Sequence, residues 1–228
     1  FRSQTRDRRK IHYKLIGKGF PLIFLHGNNL NLNYFVKQEV LAENHQLILI
    51  DSRNHGDSEN QVTPLTFEQM ADDAITFIQA KGFKQVDLFG FSMGGMISQE
   101  IVLKQPKLIR KMILSGTGPA GGTGISIVGR VSNWDLIRGM ATRQDPKVYL
   151  FFTRTENGKA AAKAFVQRIN ERTENRDKEI TISAYRAQLK ALKKWGNKKP
   201  ADLSIIQQPV LVANGDHDRM VPTVNTYD

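Results

Sequence analysis

Gly90-Phe91-Ser92-Met93-Gly94 sets a serine between two glycines, where the apolar run from Val86 to Phe89 gives way to a helical pattern from Met96 to Gln105. A hydroxyl at such a strand-to-helix turn suits nucleophilic attack on a carbonyl. The turn lifts the oxygen clear of the sheet and leaves the N–H of Met93 aimed at the place where an oxyanion would form. Two more polar clusters could serve the same chemistry. His26-Gly27-Asn28-Asn29 follows the apolar run Pro21 to Leu25, and the backbone N–H of Asn28 is the second oxyanion donor expected there. Gly215-Asp216-His217-Asp218 follows the run Pro209 to Asn214 and brings a carboxylate to the edge of the sheet where a base-orienting acid belongs. His26 and His55 could each act as a base. A histidine fixed at a strand end before glycine, and one in the turn-rich loop Asp51 to Ser58, are both read as structural instead.

These clusters need a scaffold that carries strand ends to one edge. Ile11 to Ile16 alternates as a half-buried strand, and Pro21 to Leu25 and Gln46 to Ile50 are continuous apolar runs of strands buried on both faces. The first two are expected to form a hairpin across Gly17 to Gly19. Asn33 to Asn44 is expected to be a helix with Phe35, Val36, Val40 and Leu41 on its apolar face. Thr66 caps a second helix, with Gln69 three residues on, which runs to Gly82. Lys111 to Ser115 is a further strand. The alternation calls for an α/β fold, a mostly parallel twisted sheet with helices on both faces.

After the glycine-rich stretch Gly116 to Gly124 the alternation stops, and Ile125 to Ala201 reads as largely helical. Residues 1–118 and 203–228 are therefore expected to form the core, and 119–202 a helical cap that the glycines would let move as a lid. Ile127, Val128, Val131, Trp134, Ile137 and Met140, like Tyr185, Leu189 and Leu192, are read as packing within the cap in preference to substrate contacts.

A chain of 228 residues with 40% hydrophobic and 24% charged residues has the makings of one ordinary globular domain. It contains no apolar run of bilayer-spanning length, and no membrane partner is expected. The absence of cysteine excludes disulfides, thiolate metal sites and a cysteine nucleophile. The net charge of +11 concentrates in two places: 14 Lys/Arg face 5 Asp/Glu between Lys147 and Lys199, and 6 basic residues face one acid between Arg2 and Lys14. No nucleic-acid-binding motif accompanies them, so the charge is read as solvated helix faces and no nucleic-acid partner is expected, with an anionic substrate or surface left open. The start of the chain is polar and basic without the apolar core of a signal peptide, and a cytoplasmic location is the expectation.

Four segments together, His26-Gly27-Asn28, Asp51-x-Arg53-x-His55-Gly56-x-Ser58, Gly90-Phe91-Ser92-Met93-Gly94-Gly95 and Gly215 to Pro222, occur in the order found in the α/β-hydrolase fold family. The chain resembles its cofactor-free, cap-bearing esterase and haloperoxidase-like members. Asn54 departs from the glycine usual at that place. The resemblance implies Ser92 as nucleophile, the amides of Met93 and Asn28 as the oxyanion hole, Asp218 as the triad acid with Asp216 as its near rival, no cofactor, and a small acyl substrate such as a carboxylic ester. It also implies a histidine base on a loop after one further strand. None of His12, His26, His45, His55 and His217 stands there. The expectation is a truncated hydrolase, nearly inactive as it stands and lacking its last strand and terminal helix. The competing readings are a complete chain without a working triad and a ligand-binding or regulatory protein on the same scaffold.

Overall fold

The computed structural model describes residues 2–4, 9–59, 64–171 and 180–227. Parts of both basic stretches, 5–8 and 172–179, lie outside the described residues, as do the chain's first and last positions. Seven strands form one sheet: β1 (Arg2–Gln4), β2 (Lys10–Ile16), β3 (Phe20–Leu25), β4 (His45–Ile50), β5 (Val86–Phe91), β6 (Ile109–Ser115) and β7 (Val210–Ala213), in the order β1-β2-β4-β3-β5-β6-β7. From β4 to β7 every pairing is parallel, while β1 with β2 and β2 with β4 are antiparallel.

The expected hairpin does not form. β2 pairs with β4, and β3 lies between β4 and β5, because its apolar run needs strands on both edges as well as cover on both faces. The helix expected over Asn33 to Asn44 is a 3-10 segment, Leu32–Glu43, kinked at Phe35. Only Phe35 of its four apolar residues is buried, in a small cluster with Phe24 and Leu32, and Val36, Val40 and Leu41 are exposed.

Helix α1 (Phe67–Ala80) starts as expected, with the Gln69 N–H donating to Thr66 Oγ1 at 3.2 Å. The reciprocal arm of the capping box is not made, since Gln69 Oε1 is buried without a partner. Helix α2 (Met93–Lys104) follows β5 and is buried along most of its length. The apolar faces of both helices join β3, β4 and β5 in the main core.

Between β6 and β7 lie α3 (Val128–Thr142), α4 (Lys147–Phe151), α5 (Glu156–Glu171) and α6 (Ile182–Gly196). Helix α6 ties this insertion to the sheet. Trp195 is buried, packs edge-on against Phe67 at 5.5 Å, and donates from Nε1 to Gly118 O at 3.3 Å. Lys198 adds ion pairs to Glu68 and Glu100 at 2.9 and 2.6 Å.

Candidate active site

Ser92 stands between β5 and α2 with φ 52° and ψ −116°, a conformation that costs an L-residue about 1–3 kcal/mol. The surroundings hold it there. Its N–H donates to Ser115 O at 2.8 Å, and its carbonyl accepts from the N–H groups of Gly95 and Met96 and from Thr117 Oγ1 at 2.7 Å. Its side chain makes no capping bond to the helix and is partly exposed, so the hydroxyl is available. Two close approaches explain the glycines. A Cβ on Gly94 would lie 1.9 Å from Leu25 O, and one on Gly27 would lie 3.2 Å from Ser92 Cβ. The end of β3 is thus pressed against the serine turn, which brings His26-Gly27-Asn28 beside it.

Met93 is the first residue of α2, where backbone N–H groups have no partner within the helix. Among the described residues no hydrogen bond occupies the N–H of Met93 or of Asn28. The neighbouring amides are used: Leu30 N–H donates to Gly27 O, and Asn29 N–H to Gln188 Oε1.

Asp218 sits in the loop after β7. Its Oδ1 accepts from the N–H groups of Met220 and Val221 at 2.8 and 2.9 Å, leaving Oδ2 unengaged by these amides. Asp216 differs. Its side chain is 92% exposed, with His217 near it at 3.8 Å, so the side chain does not brace the loop; its carbonyl does, accepting from Thr223 Oγ1.

The histidines are engaged elsewhere. His26 is wholly buried, with Nδ1–H donating to Gly27 O at 2.8 Å and Nε2 accepting from the Ser52 N–H at 3.1 Å. Burial lowers its pKa, so it is a neutral strut between two loops. His55 donates from Nδ1 to Arg53 O at 2.9 Å, and burial, with His26 close by, pushes its pKa down to about 3. His12 meets the buried carboxylate of Asp51 at 2.9 Å. That carboxylate also accepts from the N–H groups of Leu32 and Asp57, which organises the loop after β4. Burial works against its charge, but the His12 bond and the two amides outweigh it and hold the pKa below the ordinary value. Among the described residues no histidine is hydrogen-bonded to Ser92 or Asp218.

Asn54 has φ 63°, left-handed backbone that glycine and asparagine tolerate best, so asparagine can stand where glycine is usual. Gln188 was not singled out from the sequence. It is fully buried on α6, accepts from Asn29 N–H at 3.1 Å and donates to Asn54 O at 3.1 Å, joining the insertion to both loops beside the serine. A glutamine on an apolar helical stripe was the one available signal. A cleft of about 1030 Å³ opens between the insertion and these loops, lined by His12, Tyr34, His55, Phe165 and Arg168 among others, but neither Ser92 nor Met93 lines it. The site is located by the serine turn, where the unused amides are, and not by the size of this cleft.

The family model for the alpha/beta hydrolase fold matches residues 21–228. The solved structure of an alpha/beta hydrolase fold protein from Chitinophaga pinensis superimposes with a TM-score of 0.87 at 31% identity, covering 100% of this chain and 82% of that one. Ethanol acetyltransferase 1 of Hanseniaspora uvarum is 33% identical over 102 residues, 43% of this chain and 30% of that protein. The sn-1-specific diacylglycerol lipase ABHD11 of Danio rerio is 30% identical over 107 residues, 46% of this chain and 33% of that protein. The chain thus spans about a third of the length of these curated relatives. With the parallel sheet, the strained serine turn and the loops at its edge, the match over residues 21–228 makes the chain a member of the alpha/beta hydrolase fold family.

Proposed function

We propose that the chain carries the serine nucleophile and oxyanion hole of a carboxylic ester hydrolase. The observation that carries this reading is Ser92 itself: a strained, partly exposed residue with a free side chain and unused amides at Met93 and Asn28 beside it. In this reading Ser92 Oγ attacks the ester carbonyl, a base takes its proton, and the two amides stabilise the negative charge that develops on the carbonyl oxygen. The bond to the leaving alcohol breaks as the base returns the proton, and water then releases the acyl group. Asp218 is the acid that would orient the base, because two amides fix one of its oxygens while the other is left for an imidazole N–H. The helical insertion would act as a cap, with Gln188 holding the Asn28 loop against the serine. Both curated relatives are named for acting on acyl groups, one as an acetyltransferase and one as a lipase, which agrees with an acyl-enzyme.

No described residue supplies the base, and this sets the form of the test. Treated with a fluorophosphonate and analysed by mass spectrometry, the chain is expected to form an adduct at Ser92 slowly, and faster when imidazole is added as an external base. Ser92→Ala is expected to form none. Labelling that persists in Ser92→Ala, or no adduct at Ser92 even with imidazole, refutes the nucleophile; the second result favours a ligand-binding protein on the hydrolase scaffold.

A further inference from the structure

Helix α3 is turned inside out. Its buried residues are Val128, Ser132, Asp135 and Gly139, spaced by four, three and four, so one face made largely of small and polar residues points inward. Trp134, Ile137 and Met140 point outward and are 64%, 55% and 65% exposed, with Ile127 and Leu136 also exposed. This corrects the reading of the stripe as packing within the insertion for Ile127, Trp134, Ile137 and Met140; Val128 is buried and Val131 half-buried.

The orientation has a cause. The carboxylate of Asp135 is fully buried and neither oxygen is hydrogen-bonded among the described residues; Arg219 Nη1 lies 3.1 Å from it as an ion pair and also donates to Tyr149 O at 3.3 Å, so the charge of Arg219 draws the polar side of α3 against the loop after β7. Gly139 permits the close approach of Gln144 O and Pro146 on the same face. With its polar side held in, the helix must present its apolar side to the surroundings, and exposed apolar surface of this kind marks an interaction site.

Charge identifies the partner. Between Ile127 and Gln144 the exposed charged residues are Arg130 and Arg143; Arg138 is half-buried with its guanidinium 3.9 Å over the Tyr149 ring, and the one acid of the segment, Asp135, is buried and ion-paired. Helices α4 and α6, which pack against α3, contain no acidic residue, and Asp145, just before α4, is paired with Lys147. Tyr185 donates to Asn133 at 2.9 Å, which ties α6 to α3. An apolar stripe containing tryptophan, with arginines beside it and no exposed carboxylate on α3, α4 or α6, suits the boundary between the headgroups and acyl chains of an anionic bilayer.

We propose that α3 docks in the plane of an anionic phospholipid surface, with Trp134, Ile137 and Met140 entering the acyl boundary and Arg130 and Arg143 meeting the phosphates. The helix lies on the membrane and does not cross it: no described helix is long and apolar enough to span one. The inference replaces the expectation that the chain has no membrane partner, and it is independent of Ser92.

The test is co-sedimentation of the 228-residue chain with phosphatidylcholine vesicles, with and without phosphatidylserine. Tryptophan emission is recorded in parallel, since the other tryptophan, Trp195, is buried and serves as an internal reference. Binding and a blue shift are expected with phosphatidylserine and are weakened by salt. The double change Trp134→Ser/Ile137→Ser is expected to reduce binding at least about tenfold, and Arg130→Glu about fivefold, while Trp195 emission and thermal unfolding stay as in the parent. Failure to bind phosphatidylserine vesicles, equal binding by the double variant, or burial of Trp134 in a dimer without lipid overturns the proposal.

Discussion

At the residue scale, the site depends on neutral histidines as much as on the serine. His26 and His55 are buried, their rings 4.7 Å apart, and neither can take a proton without a charge appearing where water does not reach. In the unfolded chain both would titrate near 6.5, whereas in the fold His55 does so at about 3. Between these values the unfolded state binds more protons, so stability falls as the pH falls, by roughly 1.4 kcal/mol per pH unit for His55, and His26, its pKa also lowered by burial, acts with the same sign. Asp51 acts later and with the same sign. Its folded pKa lies below its ordinary value of 3.8, so the stability it contributes at neutral pH is lost as the pH drops through its folded range. Urea unfolding measured from pH 7 to 4.5 should show stability declining from about pH 6.5, and His55→Gln should flatten part of that slope. A stability unchanged down to pH 4.5 would contradict the assignment of neutral buried rings. The structural roles of both histidines were legible in the sequence from their place at strand ends and in a turn-rich loop. The left-handed backbone at Asn54 was legible only in part, since the missing glycine was visible but whether asparagine can stand there depends on φ.

At the element scale, the apolar pattern located β2 to β7 and α1, because a half-buried strand alternates, a strand buried on both faces is a continuous apolar run and an amphipathic helix repeats every third and fourth residue, whereas β1 lies in the polar, basic start of the chain and left no such record. It misplaced the partner of β2, since nothing local records which of two apolar strands sits next to a third. It also misread α3, where an apolar stripe at helical spacing normally marks the buried side. There the distant partner Arg219, 84 positions from Asp135, decides which face turns inward. Gln188 shows the same limit, as its two bonds reach loops 159 and 134 residues earlier in the chain. Replacing it with alanine removes both bonds, including the one that occupies Asn29 N–H. Gln188→Ala should cost about 1–3 kcal/mol of stability and speed hydrogen exchange at Asn28 to Leu30 more than in β3. Exchange unchanged in that loop would show that the insertion does not hold it.

At the scale of the whole molecule, four segments far apart in sequence meet along one edge of the sheet because parallel strands all end on that side. That convergence could be foreseen from strand order and motif order, and the fold class with it. The close fit of β3 to the serine turn could not, because it rests on the distance between two backbones, where Leu25 O leaves no room for a side chain on Gly94. The account stands or falls on whether this convergence makes a site for an oxyanion. The most direct measurement is a crystal structure of the chain after reaction with a fluorophosphonate. The account expects phosphorus bonded to Ser92 Oγ, with one phosphonyl oxygen about 2.7–3.1 Å from the amide nitrogens of both Met93 and Asn28. An adduct on another residue, or a phosphonyl oxygen turned away from both amides, would contradict it.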